Sequence, residues 1–498
     1  MNQPRCLFWH RKDLRISDNI GLSIAAKNTF AITGVYILDE KIFPKNNDPP
    51  KLAPAQIWFL TRSLEELINN WVEIGSELII LHGDPVKLIP KLANAIRAEV
   101  VSWNSDIEPL NREIESKVHS SLSKQSIKVI TSWDQLLVNP STILTINGAP
   151  YKVFGAFWRN WKSKINQKSI KESPLNGGLN PIKSPFGLFK LDKKLQKHIY
   201  ELFSCEIVTT PNKKLKEIRE RNSFKGISKC PCLPGERQGN IQLQQFLESR
   251  NILNYSIYRD VPFNSRTSSI SAGLKFGTIS PRQAWLISLK AISHAKTKSE
   301  EESIYTWQKE LCWREFYQNV LFNFPEIANG PYREKLKKFP WENNMSWLNS
   351  WKEGATGVPI VDASMRQLIE TGWMHNRCRM IVASFLVKDL ICNWQLGEQV
   401  FIDNLVDGDL ASNNGGWQWS ASSGMDTKPL RIFSPFTQAM KFDPNADFIR
   451  KWIPELSHVP TNDLLSGSIT NVERRFYPEA IINHQVQQSK FKSIYKEL

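Results

Sequence analysis

No run of about twenty apolar residues occurs in the 498-residue chain, which excludes a membrane-crossing helix. The opening MNQPRCLFWHRKDLR runs straight into a charged, strand-like segment without an apolar signal core, so no secretion signal is expected. Cysteine is sparse and odd in number: Cys6, Cys205, Cys230, Cys232, Cys312, Cys378 and Cys392. Only Cys230-Pro-Cys232 is closely spaced, and it lacks the second pair a zinc site needs. A reducing cytoplasm and no metal site are the expectation. The first strand-like run is not followed by G-x-G-x-x-G; His10-Arg11-Lys12-Asp13 stands there, which argues against an ordinary dinucleotide loop. No internal repeat is present.

The length exceeds one ordinary core, so two or three domains are expected. Hydrophobic residues at 41% and charged residues at 23% are those of a globular protein without membrane spans. The net charge of +15 is unevenly placed. Between Arg159 and Lys229 there are 17 Lys and Arg against 6 Asp and Glu, a net +11, so most of the excess lies in one Lys-rich region. That charge fits either a solvated linker or a surface for nucleic acid.

Over residues 1–135, short β-branched or aromatic runs alternate with amphipathic stretches. The runs are Cys6–Trp9, Ala31–Leu38, Glu77–Leu81, Val100–Trp103 and Ile127–Trp133; Ile57–Ile74 and Pro85–Ile96 read as helices. This pattern predicts an α/β domain with a five-stranded parallel, Rossmann-like sheet, its ligand site at the carboxyl ends of the strands. Residues 136–210 lose periodicity to Pro140, Pro150, Pro174, Gly177-Gly178, Pro181, Pro185 and many lysines, and are expected to form a long interdomain linker. Residues 211–498 read as helices nearly throughout, in segments such as Ile241–Asn251, Pro281–Ala295, Glu301–Phe322, Ala363–Glu370 and Asn376–Asn393, giving an all-α C-terminal domain.

The densest chemistry lies between Gly372 and Phe442, where Trp, Asn, Asp and Arg crowd together as they do around a shaped pocket. Asn376 and Met380 are one helical turn apart, with Arg379 beside them. Arg379 can form a charge-assisted pair with Asp407 of Asp407-Gly408-Asp409, leaving Asp409 to accept from a ligand. A two-carboxylate metal site is the alternative, but no His or third carboxylate is near. In Asn413-Asn414-Gly415-Gly416-Trp417-Gln418-Trp419, a helix would send the two indoles about 200° apart, one inward and one toward the pocket. Core packing explains any single Trp equally well.

Two further clusters stand upstream. Tyr255–Ser271 offers hydroxyls at Thr267, Ser268, Ser269 and Ser271 before a helical stretch, suited to a phosphate or to plain helix capping. Glu310 and Trp313 share a helical face, where a carboxylate beside an indole can hold a flat polar ring; an ordinary salt bridge from Glu310 to Arg314 fits the same spacing.

Taken together, LFWHRKDLRISDN, GWMHNR, DGDLASNNGGWQW and RRFYPEAIINH resemble the photolyase/cryptochrome family over nearly the whole chain, and within it class I cyclobutane pyrimidine dimer photolyases. The resemblance implies that the helical domain binds FAD, active in its reduced form FADH⁻, through Tyr255, Thr267, Ser268, Ser269, Ile270, Ser271, Trp307, Arg379, Asp407, Gly408, Asp409 and Asn413. Arg266 stands where the family usually has Gly, a departure at the phosphate turn. The implied activity is light-dependent repair of UV-damaged DNA: reduced FAD, excited by blue or near-ultraviolet light, donates an electron to a flipped-out cyclobutane dimer and splits it. Glu310 would bond the dimer, Asn376 its other pyrimidine edge, Trp313 and Trp419 would flank it, and Met380 would fill beneath. Histidines replace Asn376 and Met380 in relatives that repair six-four photoproducts, and Asn413 favours repair over signalling.

Trp417, Trp394 and Trp341 match the family's electron relay, and Arg259, Arg314, Arg377 and Gln438 would contact DNA. The sheet domain would hold an antenna pigment near Asp106 and Glu108, with 8-hydroxy-5-deazaflavin favoured and 5,10-methenyltetrahydrofolate the alternative. A cytoplasmic monomer is expected. The competing expectation is a cryptochrome-type blue-light receptor without repair activity.

Overall fold

The protein is described from a computed structural model, which covers residues 4–29, 31–46, 48–165, 193–264, 266–425 and 430–497. Five strands, β1 (Arg5–His10), β2 (Ala31–Asp39), β3 (Leu78–Gly83), β4 (Val100–Asn104) and β5 (Lys128–Ser132), form one sheet in the order β3-β2-β1-β4-β5. Every neighbouring pair is parallel. Each strand expected from its apolar run is present. Most positions of β1 and all of β4 are buried, as a sheet covered on both faces requires. The order reverses between β1 and β4, so the segments leaving those two strands, His10–Asp13 and Asn104–Glu108, flank the switch point where such sheets place ligands.

The His10–Asp13 segment is a buried polar knot in place of a glycine loop. His10 is fully buried and accepts from Trp71 Nε1 at 3.0 Å, while Asp13 accepts from Asn104 Nδ2 at 2.6 Å and from Asn19 Nδ2 at 3.1 Å. These bonds commit His10 and Asp13 to partners within the protein.

The second unit is helical, built around the 26-residue helix Lys298–Asn323. A capping box between Thr297 and Glu300 starts that helix. The expected segments appear as Glu236–Glu248, Pro281–His294, Pro359–Thr371 and Asn376–Lys388, the last followed by a separate helix, Trp394–Asn404.

The two units meet over a tight seam. Leu14 N donates to Phe276 O at 3.1 Å and Arg15 Nη1 to Gly277 O at 2.9 Å. Gly277 is required here: its φ is +67°, and a Cβ would lie 2.1 Å from the Lys12 carbonyl oxygen. Arg15 and Arg282 both pair with the buried Asp134, at 2.6 and 2.7 Å. Burial opposes ionisation of Asp134, and the two guanidiniums outweigh it, holding its pKa down.

Where it is described, the 136–210 span expected as a linker does more than connect. Leu136, Val138, Ile143, Phe157 and Trp161 are buried in the same core as Trp307, Cys312 and Phe316 of the long helix. The Pro and Lys content masks four aromatic residues in the helix Phe154–Lys164 that seek that core. Farther on, Val208 N donates to Ile80 O and His82 N to Glu206 O, so the chain covers the exposed edge of β3. The breaks at Pro174, Gly177-Gly178, Pro181 and Pro185 lie outside the described residues.

Glu315 ties this span to the long helix, accepting from Leu137 N at 2.6 Å and Trp161 Nε1 at 2.7 Å. Burial outweighs those bonds and raises its pKa from 4.5 to about 7. An acid whose pKa is higher folded than unfolded contributes stability that is complete below about pH 4.5 and is lost as pH rises through about 7. Thermal stability is therefore expected to decline between pH 5 and 7, and Glu315→Gln to flatten that decline in melting curves.

Candidate functional site

Four segments converge in the helical unit: Thr267–Phe276, the long helix, Asn376–Lys388 and Leu410–Ser420. The short helix Ser271–Phe276 brings Ser271 Oγ to Asp407 Oδ2 at 2.6 Å. Arg379 Nη2 grips both oxygens of the same carboxylate at 3.0 and 2.9 Å, while its Nε donates to Met374 O at 2.8 Å. The pair expected between Arg379 and Asp407 is thus present. Asp409 is the N-cap of Leu410–Ser420, accepting from Ser412 N at 2.8 Å, so one expected ligand acceptor also holds a helix start.

In the hydroxyl segment, Ser269 adopts φ +49°, a left-handed conformation that turns the chain between Ser268 and Ile270. Trp307 Nε1 donates to Ser268 Oγ at 3.3 Å, linking the long helix to this turn. The Arg266 guanidinium lies 4.2 Å over the Tyr258 ring, a cation–π contact that Gly could not make. Tyr255 is buried against Phe246, its pKa raised by burial and then by Glu310.

One turn beyond Trp307, Glu310 Oε1 accepts from Arg259 Nη1 at 2.7 Å. Asp260 lies 3.9 Å from Arg259 and accepts from Arg377 Nη2 at 2.8 Å. Glu310, Arg259, Asp260 and Arg377 therefore form a chain of alternating charge. Burial raises the Glu310 pKa against the pull of Arg259, so its carboxyl holds a proton more readily than a free glutamate. Asp260 was not foreseen; only its place beside Arg259 hints at it.

Arg314, partly exposed, does not pair with Glu310 but donates to Gln135 O at 2.7 Å and Leu274 O at 3.3 Å, where the two units meet. Gln438 is half buried, and its Oε1 has no partner among the described residues.

Trp417 is buried beside Phe401 (5.0 Å between ring centroids) and Trp351 (6.2 Å), whereas Trp419 is partly exposed beside Phe433 at 5.9 Å. The opposed directions expected of the two indoles are observed. A Cβ on Gly397 would fall 2.2 Å from the Trp417 ring, so this glycine makes room for the indole. Trp394 is buried, and Trp341 is partly exposed and packs on Phe339 at 4.2 Å. Asn376 Nδ2 faces Met380 Sδ at 3.9 Å, and Trp313 stacks flat on Phe154 at 3.5 Å.

Asn413 donates one amide proton to the Glu398 carbonyl at 3.0 Å, which leaves its own carbonyl end to accept from a ligand. Glu398 also accepts from Asn414 Nδ2, and burial raises its pKa to about 7. Asp106 and Glu108 pair with Lys12 at 3.1 and 2.5 Å. Burial opposes it, yet Lys12 and Arg11 hold the Asp106 pKa below the ordinary range. Nearby, Lys275 donates to Gly408 O at 2.5 Å, and burial lowers its pKa to about 8. Lys275 and Glu398 escaped the sequence reading because neither sits in a distinctive motif, and Lys12, though inside one, gave no sign there of its carboxylate partners.

The residues present fit a flavin dinucleotide. Hydroxyls and the Ser269 turn suit phosphates, the Arg379–Asp407–Ser271 cluster offers charged and polar partners, and the side-chain carbonyl of Asn413, whose amide nitrogen is held by Glu398, suits a ring N–H. Among the described residues no cluster could hold a metal ion, and no helix is long and apolar enough to cross a membrane.

A parallel α/β sheet docked on a helical unit that carries a cluster of charged and hydroxyl side chains defines a two-domain protein class. Residues 6–175 match the family described as DNA photolyase, and residues 307–497 the FAD binding domain of DNA photolyase. The chain belongs to the DNA photolyase/cryptochrome family. It is 46% identical, over 99% of its length and 96% of the relative's, to a deoxyribodipyrimidine photo-lyase of Synechococcus sp., and 34% identical, over 96% of each, to one of Halobacterium salinarum. A bacterial class III photolyase from Agrobacterium tumefaciens superposes with a TM-score of 0.81 at 31% identity, covering 100% of this chain and 98% of that one. A Synechocystis cryptochrome superposes at 0.83 with 26% identity, covering 99% of each chain.

Proposed function

We propose that this protein is a light-dependent DNA-repair enzyme, a carbon–carbon lyase that splits cyclobutane pyrimidine dimers. The observation that carries the reading is the 46% identity across the whole chain to a protein named deoxyribodipyrimidine photo-lyase. Bound in reduced form, FAD would supply a light-activated electron donor. Ser271, Asp407 and Arg379 would hold it, with Tyr255, Thr267, Ser268, Ser269, Ile270, Trp307, Gly408 and Asp409 around it, and Asn413 would face its ring.

The protein's own work is to receive and orient the lesion. Glu310, poised by burial to keep a proton, would hydrogen-bond a pyrimidine carbonyl, with Asn376 on the other edge and Met380 beneath. Trp313, backed by Phe154, and the partly exposed Trp419 would flank the flipped-out bases. Arg259, Arg314, Arg377 and Gln438 would meet the DNA backbone, giving an affinity that falls with salt. The test is whether a defined dimer disappears from duplex DNA only under blue light.

Trp417, Trp394 and Trp341 would relay an electron from the surface to oxidised flavin, the partial exposure of Trp341 supporting its place at the outer end. Trp341→Phe is expected to slow light-driven loss of the oxidised-flavin absorption bands about tenfold, yet to spare repair by pre-reduced protein. Loss of both together would assign Trp341 another task.

Residues 1–135 would serve as the antenna domain, 136–210 as the connection and 211–498 as the FAD- and DNA-binding domain. Asp106 and Glu108, following β4 at the switch point, would line the pigment site. The pigment would be 8-hydroxy-5-deazaflavin, or else 5,10-methenyltetrahydrofolate. The seven free cysteines agree with a reducing cytoplasm, and the working form would be a monomer.

A further inference from the structure

The Lys-rich excess near residue 160 is only partly a linker feature, because the helix Phe154–Lys164 packs against the wall of the proposed lesion pocket. Its Phe154 lies flat on Trp313, at 3.5 Å and 3° between planes. Eight residues on, Lys162 Nζ stands 4.2 Å over the Tyr305 ring and 5.3 Å over Trp158. Trp158 stacks on Trp161, which is buried and bonded to Glu315, so the platform under the ammonium is fixed.

Lys309, exposed on the long helix, lies close enough that its charge adds to burial in lowering the Lys162 pKa. Neither ammonium forms an ion pair among the described residues. All four neighbours of Lys309 at i±3 and i±4, namely Tyr305, Thr306, Cys312 and Trp313, are uncharged. Lys162 sits in the last turn of its helix, where the dipole welcomes a cation. That explanation does not extend to Lys309, which stands mid-helix next to Glu310. Glu310 is already paired with Arg259 at 2.7 Å, so the two like charges held together are relieved further when an anion arrives.

We infer that Lys162 and Lys309, with the exposed Arg159, form a docking site for the phosphodiester backbone of the DNA beside the lesion. The inference rests on the repair reading. Its occupant follows from charge complementarity and from continuity with the Glu310–Trp313 wall. At about 1.5 Å per residue, Lys309 and Tyr305 lie roughly 6 and 12 Å along the helix from Trp313. At about 3.4 Å per nucleotide, the phosphates held are about two to four nucleotides from the dimer. Cations fixed over aromatic rings suit such a contact, since little side-chain freedom remains to be lost on binding.

The test compares the FAD-loaded full-length protein with a Lys162→Ala/Lys309→Ala double variant, binding a duplex with one cyclobutane dimer at several salt concentrations. The double variant is expected to bind about three- to tenfold more weakly at low salt. Its slope of log affinity against log salt should be shallower by about 1 to 2, near 0.9 per phosphate lost. Repair per photon at saturating DNA should not change. Neutral methylphosphonate links two to four nucleotides from the dimer should weaken the wild type likewise and leave the double variant unaffected. Wild-type affinity and slope in the double variant, or an undiminished methylphosphonate penalty there, overturn the inference alone. A wild type that shows no preference for dimer-containing DNA overturns the repair reading and this site with it.

Discussion

Asp407→Ala is expected to yield protein that loses FAD during purification and unfolds more easily. The carboxylate accepts from Ser271 and from Arg379 through both oxygens, and is almost fully buried. Removing it leaves a partly exposed guanidinium with one carbonyl partner, Met374 O, and an unpaired serine hydroxyl. Losing these charge-assisted bonds costs about 1.5–3 kcal/mol. Asp407→Asn keeps an acceptor for Ser271 but not the charge, so it should retain flavin partially. Flavin absorbance per mole of protein and the melting temperature check both variants. An alanine variant with stoichiometric flavin and an unchanged melt would remove Asp407 from the cofactor site.

Glu310→Ala should lower repair per absorbed photon roughly tenfold while flavin content stays normal, the size of one lost charge-assisted hydrogen bond of about 1.5 kcal/mol. Burial favours the protonated carboxyl, and Arg259 at 2.7 Å keeps it oriented. Glu310→Gln retains a donor at the same reach and should fall less. Because Arg259 keeps Asp260 as a neighbour at 3.9 Å, the alanine variant should still bind DNA. Repair by the alanine variant equal to wild type would refute the assigned role. A fall in repair caused by lost flavin would instead make Glu310 a structural residue.

The sheet was legible because strands covered on both faces must be short, apolar and β-branched, and nothing else in the first 135 residues competes with that pattern. The Arg379–Asp407 pair was legible too, from charge and spacing. The partners of Arg314 were hidden because helical spacing supplies only local ones, while the carbonyls of Gln135 and Leu274 arrive from distant sequence. The same limit hid Asp260 and Glu398, whose roles depend on which chain segment packs against them. The 136–165 stretch looked like a tether because it was read as part of the proline-broken, lysine-rich 136–210 span; its aromatic residues were decisive once a hydrophobic surface was available.

The central claim is most directly tested by following one thymine dimer in double-stranded DNA with the FAD-loaded, reduced protein, in blue light and in darkness, beside a six-four photoproduct. The account predicts that the cyclobutane lesion disappears in light only and that the six-four lesion persists. Persistence of both lesions in light, with reduced FAD demonstrably bound, would contradict it and favour a blue-light receptor.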